Sequence, residues 1–180
     1  MTIDPAIAIL VVACTMLLFG AAAVHKLKDM RRFSEIFAAY RLLPSAVGRP
    51  VSHAIALLEA AVAAGLLFED SRAAAAFLGI VLLLAYAAAI AVNLRRGRRE
   101  LACGCGGPDD SRPIAGWMVL RNAGVAILLA AVMLPWSQRP LVPTDAVTVG
   151  FGTATCALVY LCLDRLLGRT GRMTDKLRIH

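Results

Sequence analysis

A chain of 180 residues that is 59% hydrophobic and only 17% charged, with a mean hydropathy of +0.72, lacks the polar shell of a soluble domain, where about a quarter of residues are charged. Its net charge of +7 is gathered in short blocks between long uncharged runs. That pattern excludes a soluble enzyme and makes nucleic acid unnecessary as an explanation of the charge, which instead reads as affinity for the cytoplasmic leaflet of a bilayer.

The expected fold is all-α: a polytopic transmembrane helical bundle of about five spans, forming one integral membrane domain over residues 1–180. Each candidate span has roughly the 20 apolar residues that cross the hydrocarbon core. The first covers 5–24; no Lys or Arg precedes it and its apolar run is too long for a signal peptide, so it is retained as a span. The others cover 51–68, 73–94, 114–134 and 146–167.

Between the first two spans, "RRFSEIFAAYRLLP" sets Phe33, Ile36, Phe37, Tyr40 and Leu43 at helical spacing, with Pro44 to end the run. This predicts an amphipathic helix lying in the interface, either a plain connector or a docking surface. Basic residues crowd this first loop, the loop after the third span and the C-terminal tail, which together hold sixteen of the nineteen; Arg72 and Arg139 stand on the other side and Arg121 within the fourth span. An odd number of spans puts those three segments on one face. The positive-inside bias then predicts an integral protein of a bacterial-type cytoplasmic membrane, N-terminus out, C-terminus in, with the loop after the third span cytoplasmic.

That loop carries the sharpest feature: "LACGCGG" directly after "NLRRGRRE". Cysteines at i and i+2 close a bridge only through a tight bend, and Gly104, Gly106 and Gly107 supply the freedom for it. A small ring of this kind is reducible, and the flanking arginines favour thiolate over thiol. Three readings of Cys103 and Cys105 stay open: a reversible redox pair, two ligands of a metal site completed by a partner chain, or inert or lipidated juxtamembrane cysteines. Cys14, Cys156 and Cys162 sit in apolar spans as small hydrophobes, although Cys14 and Cys156 form a conceivable pair if the first and last spans touch.

Charge inside a membrane is costly and is a functional hypothesis by default. Glu59 and Arg121 both fall roughly 10–12 Å below the inner face, so an ion pair between them is expected, with Asn122 beside it and Asn93, His53, His25 and Trp117 in the same half of the bundle. Such a layer either fixes helix register or forms a polar pocket under the thiols, for which a quinone headgroup is a candidate occupant.

The stretch "HKLKDMRRFSEIFAAYRLLP", a Glu in the second span and "CGCGG…IAGWMVLRN" in that order resemble the MauE family of methylamine-utilisation membrane proteins, related to the DoxX-like group. The likeness runs from about His25 to Asn122. Family members usually follow the second cysteine with Phe-Gly; here Gly106 stands in place of the aromatic. The resemblance implies a multi-span helical protein working with a thioredoxin-fold partner in disulfide formation or maturation of an extracytoplasmic enzyme, with Cys103 and Cys105 in the redox role. The alternative from another class is a non-catalytic assembly subunit held among other membrane subunits.

Overall fold

The computed structural model describes residues 2–104 and 113–178, so Cys105, Gly106 and Gly107 lie outside the described residues. Six helices follow in order: α1 (Pro5–Lys28), α2 (Met30–Ala39), α3 (Ser45–Gly65), α4 (Glu69–Arg95), α5 (Gly116–Val132) and α6 (Pro143–Arg178). The chain is thus all-helical among the described residues, apart from two isolated bridges, Ile3 with Trp136 and Ala102 with Pro113.

Local chemistry explains the helix ends. Asp4 caps α1, its side chain accepting from the Ala6 N–H at 2.9 Å, and Pro5 occupies the first turn, where its missing N–H does no harm. Asp29 closes α1 and opens α2, accepting from the Arg32 N–H at 3.0 Å. One residue therefore turns the chain from a long apolar helix into a short amphipathic one.

Three helical segments, Pro5–Lys28, Glu69–Arg95 and Pro143–Leu163, are long and apolar enough to cross a membrane, and α5 is a shorter apolar helix of 17 residues. Pairings across the bundle fix the directions. Gly20 meets Ala63 and Lys26 meets Glu59, so α1 and α3 are antiparallel. Gly65 meets Ala75 and Gly79 meets Val62, which makes α3 and α4 antiparallel as well. Gly79 also meets Leu129, while Ile90 shares a cluster with Met118, so α5 runs back along α4. Arg139 links Asp4 to Asp145, and higher up Leu10 packs on Gly152, so α6 runs parallel to α1. The five long helices alternate in direction.

The main core gathers Phe19, Val62, Leu82, Leu83, Ala126 and Leu129, and three of these, Phe19, Val62 and Leu129, meet at Gly79. A Cβ there would lie 2.8 Å from Leu129 Cδ2 and 3.3 Å from Phe19, so glycine lets the side chains of three neighbouring helices close on α4 without shifting. The outer faces carry exposed Leu17, Phe77, Leu84, Ile127 and Phe151, the apolar surface of a helical membrane bundle.

Candidate functional site

At one end of the bundle, a second cluster gathers Tyr40, Ile90, Ile114 and Met118, with Ile36, Leu101, Cys103 and Trp117 packed against it. Cys103 is disulfide-bonded, whereas Cys14, Cys156 and Cys162 are free thiols. The segment that carries the half-buried Cys103 is held at two points. The Tyr40 hydroxyl donates to its carbonyl at 3.2 Å, and the Ile114 N–H donates to the Leu101 carbonyl at 2.9 Å. Burial pushes the Tyr40 phenol up to about 12, so it remains a proton donor throughout the physiological range. Gly104 follows at φ +64°, and a Cβ on it would stand 3.0 Å from Ile36 Cγ2. The backbone turns there in a conformation that favours glycine, pressed on the inner face of α2.

The amphipathic helix thus does more than lie in the interface. Its buried Phe33 and half-buried Ile36 face the Cys103–Gly104 segment, while Leu43 is exposed beyond the helix end. Arg98 fixes its C-terminus, donating to the Ala39 carbonyl at 2.7 Å, the Tyr40 carbonyl at 3.3 Å and Asn93 Oδ1 at 3.1 Å. Arg96 donates to the Arg41 carbonyl at 3.4 Å. Two of the arginines expected to bias the thiols are therefore turned toward α2's carbonyl end.

Beneath α2 lies a buried ion pair, and it is not the expected one. Glu59 pairs with Lys26, expected in the first loop but carried by the last turn of α1, and not with Arg121. Lys26 and Glu59 are 3% and 1% exposed. The Tyr86 hydroxyl donates to Glu59 Oε1 at 2.6 Å and accepts from Lys26 Nζ at 3.2 Å; Glu59 Oε2 has no partner among the described residues. Lys26 Nζ also stands 5.0 Å from the Phe33 ring centroid and 4.9 Å from that of Tyr86. Phe33 touches Lys26 on one side and the Gly104 position on the other, so a single aromatic ring separates the ion pair from the disulfide segment.

The expected single polar layer is therefore split. Arg121 belongs to a group on α5 and α6: it donates to the Tyr160 hydroxyl at 3.1 Å and Asn122 Oδ1 at 3.4 Å, and sits 5.3 Å from the Trp117 ring centroid. Asn122 is buried, its Nδ2 without a partner among the described residues. Asn93, fully buried, serves the α2 clamp and its own helix, donating to the Ala89 carbonyl at 3.1 Å. His53 is exposed on α3, bonded to the Arg49 carbonyl at 2.8 Å, and does not join Glu59. His25 is half-buried. Cys14 and Cys156 are neighbours where α1 packs on α6.

Lys26 and Tyr86 are the residues that sequence reasoning missed. A signal for Lys26 exists: Phe19, Ala22, Ala23 and Lys26 continue one buried helical stripe. Tyr86 is a lone phenol in an apolar run, with nothing local to mark its face.

A helical membrane bundle with an interfacial helix clamped over a disulfide segment, above a buried Lys–Glu pair, defines a polytopic integral membrane protein with a cysteine-bearing end. A profile described as "Methylamine utilisation protein MauE" matches residues 4–136, and the chain belongs to this family. Similar proteins include the methylamine utilization protein MauE of Paracoccus denitrificans, 36% identical over 160 residues, covering 88% of this chain and 86% of that one. The proteins of the same name from Methylophilus methylotrophus (32% over 169 residues, 92% and 88%) and Methylorubrum extorquens (33% over 162 residues, 87% and 86%) are comparably similar. No solved structure matches the chain.

Proposed function

We propose that this protein is a membrane thiol–disulfide redox protein whose exchanging pair is Cys103 and Cys105, and that it acts with a thioredoxin-fold partner in maturing an extracytoplasmic enzyme of methylamine utilisation. The observation that carries the reading is the bonded state of Cys103 in a glycine turn at a half-buried edge of the bundle, while the three cysteines of the long helices are free thiols. Methylamine utilisation enters from the names of the relatives.

In the exchange, a partner thiolate attacks one sulfur of the Cys103–Cys105 bond, and the other leaves as thiolate and takes a proton. The partner's second thiolate then attacks the mixed disulfide. Two electrons pass from the partner dithiol to the pair, which ends as two thiols, and the reverse sequence oxidises it. Tyr40 holds the Cys103 carbonyl still while the sulfur changes partner, and α2 supplies an apolar wall against which the segment reseats. The three blocks of basic residues support a cytoplasmic face for this end, the N-terminus lying outside, so the dithiol that reduces the pair is a cytosolic donor and the reducing equivalents pass outward to the enzyme being matured.

Trapping tests it. Cys103→Ser and Cys105→Ser variants, expressed with a thioredoxin-fold partner lacking its resolving cysteine, are expected to give a mixed disulfide with one of the two. Absence of any adduct, with maturation intact in both variants, refutes the reading in favour of an assembly subunit. A metal-site role predicts instead bound zinc or iron at fixed stoichiometry.

A further inference from the structure

The opposite end of the bundle holds a second built feature. The segment after α5 is pinned to the N-terminus: the Ile3 N–H donates to the Pro135 carbonyl at 3.0 Å and the Ser137 N–H to the Ile3 carbonyl at 2.8 Å. Trp136 is fixed by its own indole N–H, which donates to the Val132 carbonyl at 3.1 Å. Over that ring, at 4.6 Å, stands the guanidinium of Arg72 from the first turn of α4. A shallow, open cavity of about 410 Å³ lies beside them, lined by Glu69, Arg72, Met133, Trp136 and Gln138 among others. This volume lies within the range of small-molecule sites.

The charges in this cavity are uncompensated. Arg72 Nε is buried without a partner, and neither Arg72 nor Glu69 makes a hydrogen bond or ion pair with any described residue. At the same end, Arg139 is saturated by Asp4 (2.6 Å) and Asp145 (2.7 Å). A planar cation stacked on an indole keeps its donor edge for an oxyanion. Glu69 lies three residues before Arg72 on one helix, about 5–6 Å away between Cβ atoms. The cavity therefore presents one cation and one anion at a spacing that suits a zwitterion. Leu67, Phe68, Met133 and Leu134 are exposed along the rim, where acyl chains would run.

We propose that this cavity seats the headgroup of phosphatidylethanolamine, its phosphate on Arg72 and its primary ammonium on Glu69. Phosphatidylglycerol has no ammonium for Glu69, and the trimethylammonium of phosphatidylcholine has no N–H to donate. The site is independent of the thiol chemistry at the other end.

The test offers the delipidated, detergent-purified protein an equimolar mixture of the three lipids, with millimolar free phosphoethanolamine as competitor, and reads retained lipid by native mass spectrometry. Wild type is expected to retain phosphatidylethanolamine in preference to both others despite the competitor. Arg72→Gln lowers that retention about tenfold, the loss of a charge-assisted contact. Glu69→Gln, a change of an exposed side chain that leaves the fold intact, removes the preference over phosphatidylglycerol. Equal retention of the three lipids by wild type, displacement by free phosphoethanolamine, or unchanged selectivity in either variant overturns the proposal. Helicity by circular dichroism accompanies each variant, so that a misfolded Arg72→Gln leaves Glu69→Gln to decide.

Discussion

Replacing Lys26 with Met leaves the Glu59 carboxylate inside the bundle, 1% exposed, with the Tyr86 hydroxyl as its one remaining donor and Oε2 still bare. Removing one member of a buried pair typically costs about 3–5 kcal/mol, because the other charge stays buried and uncompensated. Glu59→Leu removes the carboxylate from Lys26, whose ammonium keeps the Tyr86 hydroxyl and the Phe33 and Tyr86 rings, so its cost is the smaller of the two. The double variant removes both charges and is expected to recover to within about 1–2 kcal/mol of wild type, since an apolar pair of similar volume is often neutral. Unfolding followed by far-UV circular dichroism in mixed micelles, on wild type, both singles and the double, gives the coupling energy directly. We expect it to exceed about 2 kcal/mol. The same cycle between Glu59 and Arg121 is expected near zero, below about 0.5 kcal/mol, because they belong to different groups. Additive Lys26 and Glu59 effects, or a large Glu59–Arg121 coupling, would refute the pairing.

Four further outcomes follow from the geometry. Gly104→Ala puts a Cβ at φ +64° and 3.0 Å from Ile36 Cγ2; a cost of about 1–2 kcal/mol should appear as a disulfide more easily reduced by a glutathione series. Gly79→Ala overpacks the contact with Leu129, Val62 and Phe19 and should destabilise the bundle by about 1–3 kcal/mol in the same unfolding assay, without changing the thiol potential. Tyr40 has a folded pKa of about 12, above its unfolded value near 10. Its contribution is therefore complete below about pH 10 and is lost as pH rises from there through 12, so alkylation of Cys103 after reduction should accelerate over that window in wild type and not in Tyr40→Phe. Asp4 is held below the usual carboxylate range, chiefly by its hydrogen bond to Arg139. The stability it contributes is present above its unfolded value and is lost as pH falls through the depressed one, and an Arg139→Gln variant should show a smaller acid step, the part left by the Ala6 N–H.

The helical bundle was legible because composition and run length are decisive for membrane spans, and the amphipathic helix because Phe33, Ile36 and Tyr40 repeat at helical spacing. Boundaries were less so. Helix α1 continues four residues past Val24 because "HKLK" carries one face inward while its charges look like loop. Helix α3 begins at Ser45 rather than Val51, with Pro50 inside it as its sixth residue; the helix runs through the proline at the loss of one i→i−4 hydrogen bond, so the proline that reads as a boundary is not one. The partner of Glu59 was hidden for a physical reason. Depth from the interface ranks Arg121 and Glu59 as level, but pairing depends on which helices touch, and α1 and α4, not α5, bring their polar groups to Glu59. The glycine at 104 was marked by its place between cysteines two residues apart, whereas the clamp of Arg98 on Ala39 and Tyr40 links residues nearly sixty apart and leaves no local trace.

The most direct measurement of the redox proposal is the mass of the peptide spanning residues 103–105 after alkylation of the membrane-embedded protein, before and after incubation with a thioredoxin-fold dithiol. The account predicts no alkyl group beforehand and two afterwards, in step with oxidation of the dithiol. Two alkyl groups at the outset, or none even after the dithiol has been added in excess, would contradict it.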